Sequence, residues 1–157
     1  PPFFSPEDTT TRAQMAVLLG RAIYGENFIP PAVDDPVFDE VPGSHWAAPW
    51  IEQLYQDGLT RGCDQEPLRY CPEKNISRDE MAVFLVRVMY GFDYNPPAPT
   101  GVFADVPETH WAAPWIEQLY QDGITTGCST TPVLFCPGSS TTRAEIAVFL
   151  GRSFDIP

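Results

Sequence analysis

The sequence predicts an all-α protein built from tandem helix-loop-helix repeats, and three observations carry that prediction. His45 to Gly58, HWAAPWIEQLYQDG, returns unchanged at His110 to Gly123, a shift of 65 residues, and self-similarity at a fixed period of this size marks a repeat architecture. Apolar residues recur at helical spacing twice within each repeat. No β-rich segment competes with them. The repetition extends outward, since VFDEVP at Val37 to Pro42 answers VFADVP at Val102 to Pro107, and SRDEMAVFLVR at Ser77 to Arg87 answers TRAEIAVFLGR at Thr142 to Arg152. TRAQMAVLLGR at Thr11 to Arg21 copies only the back half of the unit. The expected organisation is the back half of a first repeat over 1–28, a second repeat over 37–94 and a third over 102–157, with linkers at Asn27 to Pro36 and Asn95 to Thr100. A chain that opens on Pro1 in mid-unit reads as a processed or excised product.

Taken in order, the first predicted helix covers 11–24, where Thr11 and Gln14 form a capping box ahead of a Met15, Leu18, Leu19 and Ile23 stripe. The second covers 46–57: Trp46, Trp50, Ile51, Leu54 and Tyr55 fall on one face, Pro49 makes Trp46 to Ala48 a lead-in turn, and Gly58 stops the helix. The third covers 77–90, with Ser77 and Glu80 as the capping box and Met81, Phe84, Leu85, Val88 and Met89 as the apolar stripe. The fourth, 111–122, copies the second, and the fifth, 142–154, opens on Thr142 with Glu145. Helices this short are marginal alone, so the repeats must share their apolar faces.

The four cysteines occupy equivalent loops, Cys63 with Cys71 and Cys128 with Cys136, eight positions apart both times. Two local disulfides are the natural pairing, each worth about 2 to 3 kcal/mol by loop entropy. Ser5 stands at the position equivalent to Cys71, so in the half repeat the thiol disappears together with its mate. Oxidised pairs place the chain outside the cytoplasm. The competing reading is zinc, with His45 and His110 added, but each unit then supplies only two Cys and one His where structural zinc takes four ligands.

The 157 residues are 43% hydrophobic and 19% charged, enough for one real core or two small ones, and no apolar run is long enough to insert in a membrane. A formal charge of -12, with Lys74 the only lysine, excludes nucleic acid as an expected partner. No nucleophile elbow, phosphate-binding loop, dinucleotide fingerprint or zinc-protease motif occurs, so no enzyme, cofactor or metal is expected. His45 and His110 read as helix-start hydrogen bonders, and Glu52 and Glu117 as solvated helix glutamates. Asp34, Asp35, Asp39 and Glu40 lack the alternating spacing of a calcium loop and read as solvated turns. Asn75-Ile76-Ser77 fits a glycosylation sequon, and the runs Thr9 to Thr11 and Ser139 to Thr142 fit O-linked sugar by composition.

Arg12, Arg78 and Arg143 all sit at the first helical position, where the helix dipole disfavours a cation by about 0.3 to 1 kcal/mol. A carboxylate ligand held by the guanidinium and by the free N–H groups of the same helix start is one reason for that choice. The other is an internal ion pair, Arg143 with Asp105 or Arg78 with Glu40.

Phe103 to Val106 (F-x-D-V), Trp111 to Leu119 (W-x-x-x-W-I-x-x-L), Gly123 to Gly127 (G-I-x-x-G), Phe135 to Pro137 (F-x-P) and Thr142 to Glu145 (T-R-A-E) together resemble the S-layer homology motif, and the series recurs one repeat earlier. The resemblance covers essentially the whole chain. It implies a pseudo-threefold bundle whose grooves bind secondary cell-wall polysaccharide, in a non-catalytic extracellular anchor of a bacterial surface. It places Arg12, Arg78 and Arg143 in the grooves together with the acids Glu40 and Asp105, offers Trp46 and Trp111 as sugar platforms, and lets Gly62 and Gly127 bring the backbone close to the ligand. The alternative is a self-assembling subunit of a filament, sheath or S-layer. Two and a half repeats leave the stripe Met15, Leu18, Leu19 and Ile23 unpartnered, and a neighbouring copy would cover it, giving a homo-oligomer or polymer.

Overall fold

Helix starts are where the sequence is most explicit, and α1 (Arg12–Tyr24), α3 (Arg78–Tyr90) and α5 (Arg143–Ser153) each begin immediately after the predicted cap residue. The structure, a computed structural model, describes residues 4–154. Thr11 Oγ1 accepts the Gln14 N–H at 3.2 Å while Gln14 Oε1 accepts the Thr11 N–H at 3.0 Å. Thr142 and Glu145 repeat the exchange at 3.3 and 2.9 Å, and Glu80 accepts the Ser77 N–H at 3.1 Å. The front helices α2 (Ala48–Gln56) and α4 (Ala113–Gln121) carry a proline in their first turn, where the missing N–H costs nothing. Gly58 and Gly123, both at φ +72°, follow their last turns.

The expectation of an all-α fold is corrected. Strands β1 (Asp64–Gln65) and β2 (Leu68–Arg69) pair antiparallel with Asp64 opposite Arg69, and β3 (Ser129–Thr130) and β4 (Val133–Leu134) pair with Ser129 opposite Leu134. Among the described residues the fold therefore mixes five helices with two small antiparallel sheets. Strands of two residues are too short to show an alternating pattern, so periodicity cannot reveal them. Each hairpin lies inside a disulfide ring, Cys63–Cys71 and Cys128–Cys136, which overturns the zinc reading because the sulfurs are bonded to each other.

Among the described residues the chain divides into two compact units that cut across the sequence repeats. The smaller unit is Thr10–Asn75, and the larger joins the described parts of Pro1–Thr9 and Ile76–Pro157. In the smaller unit α1 packs along α2. Met15, Leu19, Phe38, Ile51, Leu54 and Tyr70 form its buried core. In the larger unit α3 packs along α4 and also touches α5, and Met81, Leu85, Phe103, Ile116, Leu119 and Phe135 are buried. The two helix pairs are tied alike at their ends: the Tyr24 hydroxyl donates to Asp57, and the Tyr90 hydroxyl donates to Asp122 at 2.9 Å.

The unpartnered stripe expected on α1 is corrected as well. Met15 and Leu19 are fully buried, Ile23 is half-buried, and only Leu18 reaches solvent. The reason is that the front helix of the following repeat covers α1, with the Trp50 ring lying where a Cβ on Gly20 would project. Trp46 and Trp111, placed on an apolar helical stripe by their spacing, are instead 59% and 56% exposed. Each precedes its helix in a turn, where the 3.6-residue period does not apply.

Candidate functional site

Each cap arginine fastens its helix to a loop. Arg12 Nε donates to the Tyr70 carbonyl at 2.8 Å and its guanidinium lies 5.0 Å over the Tyr70 ring, while the Tyr70 hydroxyl donates to the Arg12 carbonyl at 3.0 Å. Arg78 Nε donates to the Phe135 carbonyl at 2.8 Å, with the guanidinium 4.9 Å over that ring and 5.5 Å from the Phe149 ring. Arg143 Nε donates to the Phe4 carbonyl at 2.8 Å and stacks 5.1 Å over Phe4. The accepting loops share one backbone feature: Ser5, Cys71 and Cys136 all adopt positive φ, 47°, 57° and 59°.

The expectation of a carboxylate held at the helix starts is therefore corrected. The first two helical N–H groups are already bonded, Arg12 to Lys74 O at 2.9 Å and Ala13 to Pro72 O at 3.0 Å, Arg78 to Ser139 O at 3.0 Å and Asp79 to Pro137 O at 3.1 Å, Arg143 to Asp8 O at 2.9 Å and Ala144 to Pro6 O at 3.0 Å. The ion pairs expected as the alternative, Arg143 with Asp105 and Arg78 with Glu40, do not form either. Glu40 Oε1 accepts the Tyr70 and Cys71 N–H groups at 2.5 and 2.9 Å, and Asp105 accepts those of Phe135 and Cys136 at 2.8 and 2.7 Å. Both acids hold the hairpin, and the carboxylate that pairs with Arg78 is Glu145.

Gly62 and Gly127 serve the hairpins too. They adopt φ +85° and +88°, and a Cβ there would overlap the Arg69 or Leu134 carbonyl and press on the Phe38 or Phe103 ring. Nδ1 of His45 and of His110 accepts the N–H two residues on, from Ala47 and Ala112, at 3.2 Å, as expected of helix-start hydrogen bonders. Glu117 overturns its reading as a solvated helix glutamate. It is 4% exposed and accepts the Thr100 N–H at 2.7 Å, the Thr100 hydroxyl at 3.0 Å, and the Gly101 and Val102 N–H groups at 2.7 and 3.0 Å. Burial pushes its carboxyl up, but these bonds to the charged form outweigh it and hold the pKa below the ordinary value.

One groove in the larger unit brings predicted residues together. Arg78 and Phe149 meet the Thr125–Gly127 loop on one side and Ala144, Glu145, Val148 and Arg152 of α5 on the other, around a cavity of about 280 Å³. Arg78 is buried. Desolvation pushes its guanidinium below the ordinary value, against the opposing attraction of Glu145. Arg152 is exposed and donates from Nη1 to the Ile124 carbonyl at 2.9 Å. Thr125 Oγ1 accepts the Gly127 N–H at 3.1 Å and fixes the loop.

Of the residues predicted from the sequence, Arg78 and Gly127 line this groove, and Asp105 stands behind it, holding the Phe135 backbone on which Arg78 rests. Trp46 and Trp111 are not among its walls. Arg12, Glu40 and Gly62 gather instead around the β1–β2 hairpin, and Arg143 lies against Phe4. The sequence reading missed Thr125, Thr126, Glu145 as the arginine's partner, Val148 and Arg152. The available signal was that Arg21, Arg87 and Arg152 recur nine positions after each cap arginine.

These features define a disulfide-bonded tandem-repeat protein whose cap arginines bolt helices to loops. Over 159 aligned residues the chain is 28% identical to a cellulosome-anchoring protein of Acetivibrio thermocellus, an alignment covering 97% of this chain and 33% of that protein. Over 54 residues, 34% of this chain, it is 41% identical to an endoglucanase of a Bacillus species, of which the match covers 6%. The chain thus spans about a third of the first relative and a small fraction of the second. No family model matches it. No helix among the described residues is long and apolar enough to cross a membrane.

Proposed function

We propose that this chain is a non-catalytic, extracellular anchoring module that attaches to a bacterial surface by holding an anionic cell-wall polysaccharide in the groove beside α5. The observation that carries the proposal is the similarity, over nearly the whole chain, to a protein named for anchoring the cellulosome. The two disulfides support a location outside the cytoplasm.

The groove suits the ligand chemically. Its walls hold the guanidinium groups of Arg78 and Arg152 and the carboxylate of Glu145, with Asp105 also acting on Arg78, so Arg152 is the cation that these acids leave for a ligand on a chain whose net charge is -12. Arg152 at the rim presents donors to a sugar carboxylate or ketal acid, and a charge-assisted bond of that kind is the stronger sort. Arg78 is occupied by Glu145 and the Phe135 carbonyl, so its part is to fix the groove's floor and its field. The volume lies just under the roughly 300 to 1,000 Å³ of pockets that enclose a drug-sized ligand, which suits a charged sugar ring better than a buried oligosaccharide. Self-assembly through α1 is not carried forward, because the stripe on which it rested is buried.

Co-sedimentation with purified acidic wall polysaccharide tests the reading. Thr126→Trp, which fills the groove from an exposed loop position, and Arg152→Glu, which reverses the rim charge, are expected to abolish binding while leaving the melting temperature close to that of the parent. Binding retained by both variants rejects the groove as the site.

A further inference from the structure

In both units the tyrosine that ends a back helix is tied to the aspartate after the neighbouring front helix, but the two aspartates are served differently. In the smaller unit both oxygens of Asp57 are engaged: the Gln53 amide donates to Oδ1 at 3.2 Å and to Oδ2 at 3.1 Å, and the Tyr24 hydroxyl donates to Oδ2. In the larger unit Tyr90 and Gln118 both donate to Oδ1 of Asp122, each at 2.9 Å, and the buried Oδ2 has no partner among the described residues. A second oxygen nearby in the sequence pattern is in the same condition. Where α1 and α3 carry Ala22 and Val88, α5 carries Ser153, and its buried hydroxyl has no partner either. A buried polar atom left without a bond costs about 1 to 3 kcal/mol, so two at one place call for a ligand that bonds them.

Asp122 and Ser153 line one open cleft of about 570 Å³, together with Met89, Tyr90, Phe154 and Arg152. Arg152 is also a wall of the groove beside α5, so groove and cleft adjoin along that helix. From Glu145 to Ser153 the helix rises about 12 Å, longer than one sugar ring. Tyr90 is 45% exposed but held from two sides, since its ring stacks on Tyr94 with centroids 4.4 Å apart and its hydroxyl is bonded to Asp122. We infer that this cleft binds an uncharged sugar of the wall polysaccharide, next along the chain to the acidic sugar at Arg152, an inference that rests on the anchoring function proposed above. The Tyr90 ring, with Met89 and Phe154, offers an apolar surface to the C–H face of a sugar. Sugar hydroxyls supply the donors that Asp122 Oδ2 lacks and the partner that Ser153 lacks. An acidic sugar would be repelled by Asp122, and the ammonium of an amino sugar by Arg152. The volume falls within the roughly 300 to 1,000 Å³ of ligand pockets.

Co-sedimentation with purified acidic wall polysaccharide, paired with thermal melts, tests the inference. Tyr90→Ala is expected to bind about tenfold more weakly than the parent. Tyr24→Ala, which removes the corresponding tyrosine of the smaller unit, is expected to bind as the parent does. Ser153→Ala deletes an unbonded hydroxyl, so it is expected to melt no lower than the parent and yet to bind about threefold more weakly, a split that a purely structural serine does not give. A parent that fails to bind, or binding that survives in both Thr126→Trp and Arg152→Glu, rejects the groove and this inference with it. Binding that is lost in Thr126→Trp but unchanged in Tyr90→Ala and Ser153→Ala leaves the groove standing and overturns the cleft, as does an equal loss in Tyr24→Ala and Tyr90→Ala.

Discussion

An arginine at the first position of a helix works against the backbone dipole, and this chain makes that choice in every repeat. The structure supplies the reason: Nε reaches a loop carbonyl, the planar guanidinium stacks on an aromatic ring, and the helix-start N–H groups bond to the same loop. The sequence singled out these arginines without showing which loops they bond, because an arginine that serves a ligand and one that serves a neighbouring loop look alike in a string of letters. Glu117 misled in the same way, since an acid on a short helix says nothing of the backbone that folds over it. Its depressed pKa makes a prediction. Its contribution to stability is complete above the unfolded value near 4.5 and is lost as pH falls through the lower folded value. The stability gap between parent and Glu117→Gln is therefore expected to narrow between about pH 6 and about pH 3 in a series of thermal melts. A gap independent of pH would show that the charge on Glu117 contributes nothing.

At the scale of elements, the helices were legible to within a residue or two, because capping boxes, prolines and stop glycines are local signals. Thr11, Pro49 and Gly58 each do in the structure what their positions announce. The hairpins were not legible. Their strands are two residues long, and their stability comes from outside: the disulfide, the acid at Glu40 or Asp105 that accepts two hairpin N–H groups, and the glycine that admits a carbonyl. Replacing Cys128 and Cys136 together by serine is expected to cost about 2 to 3 kcal/mol in denaturant unfolding. Because the Phe135 carbonyl seats Arg78, the same variant is also expected to weaken polysaccharide binding at the groove. Unchanged stability would mean that the acid and the glycine hold the loop without the covalent link.

For the whole molecule, the repeats were plain in the sequence but the packing units were not. A period of 65 residues gives the length of a unit without saying which neighbour covers which helix. Here α1 is buried by the front helix of the repeat that follows, so the boundaries at Thr10 and Asn75 fall inside sequence repeats. The sequence also could not tell that Phe4 to Asp8 rejoins α5 near the other end of the chain. That closure governs how the polypeptide responds to force. If its two ends are pulled in an optical trap, tension meets the Phe4–Arg143 clasp first, and the first rupture is expected to be its opening. The cystine rings then act as stretch limiters. Each spans a sequence separation of eight with its Cα atoms 6.0 or 6.1 Å apart, hiding roughly 20 Å of contour that appears only when reductant is added.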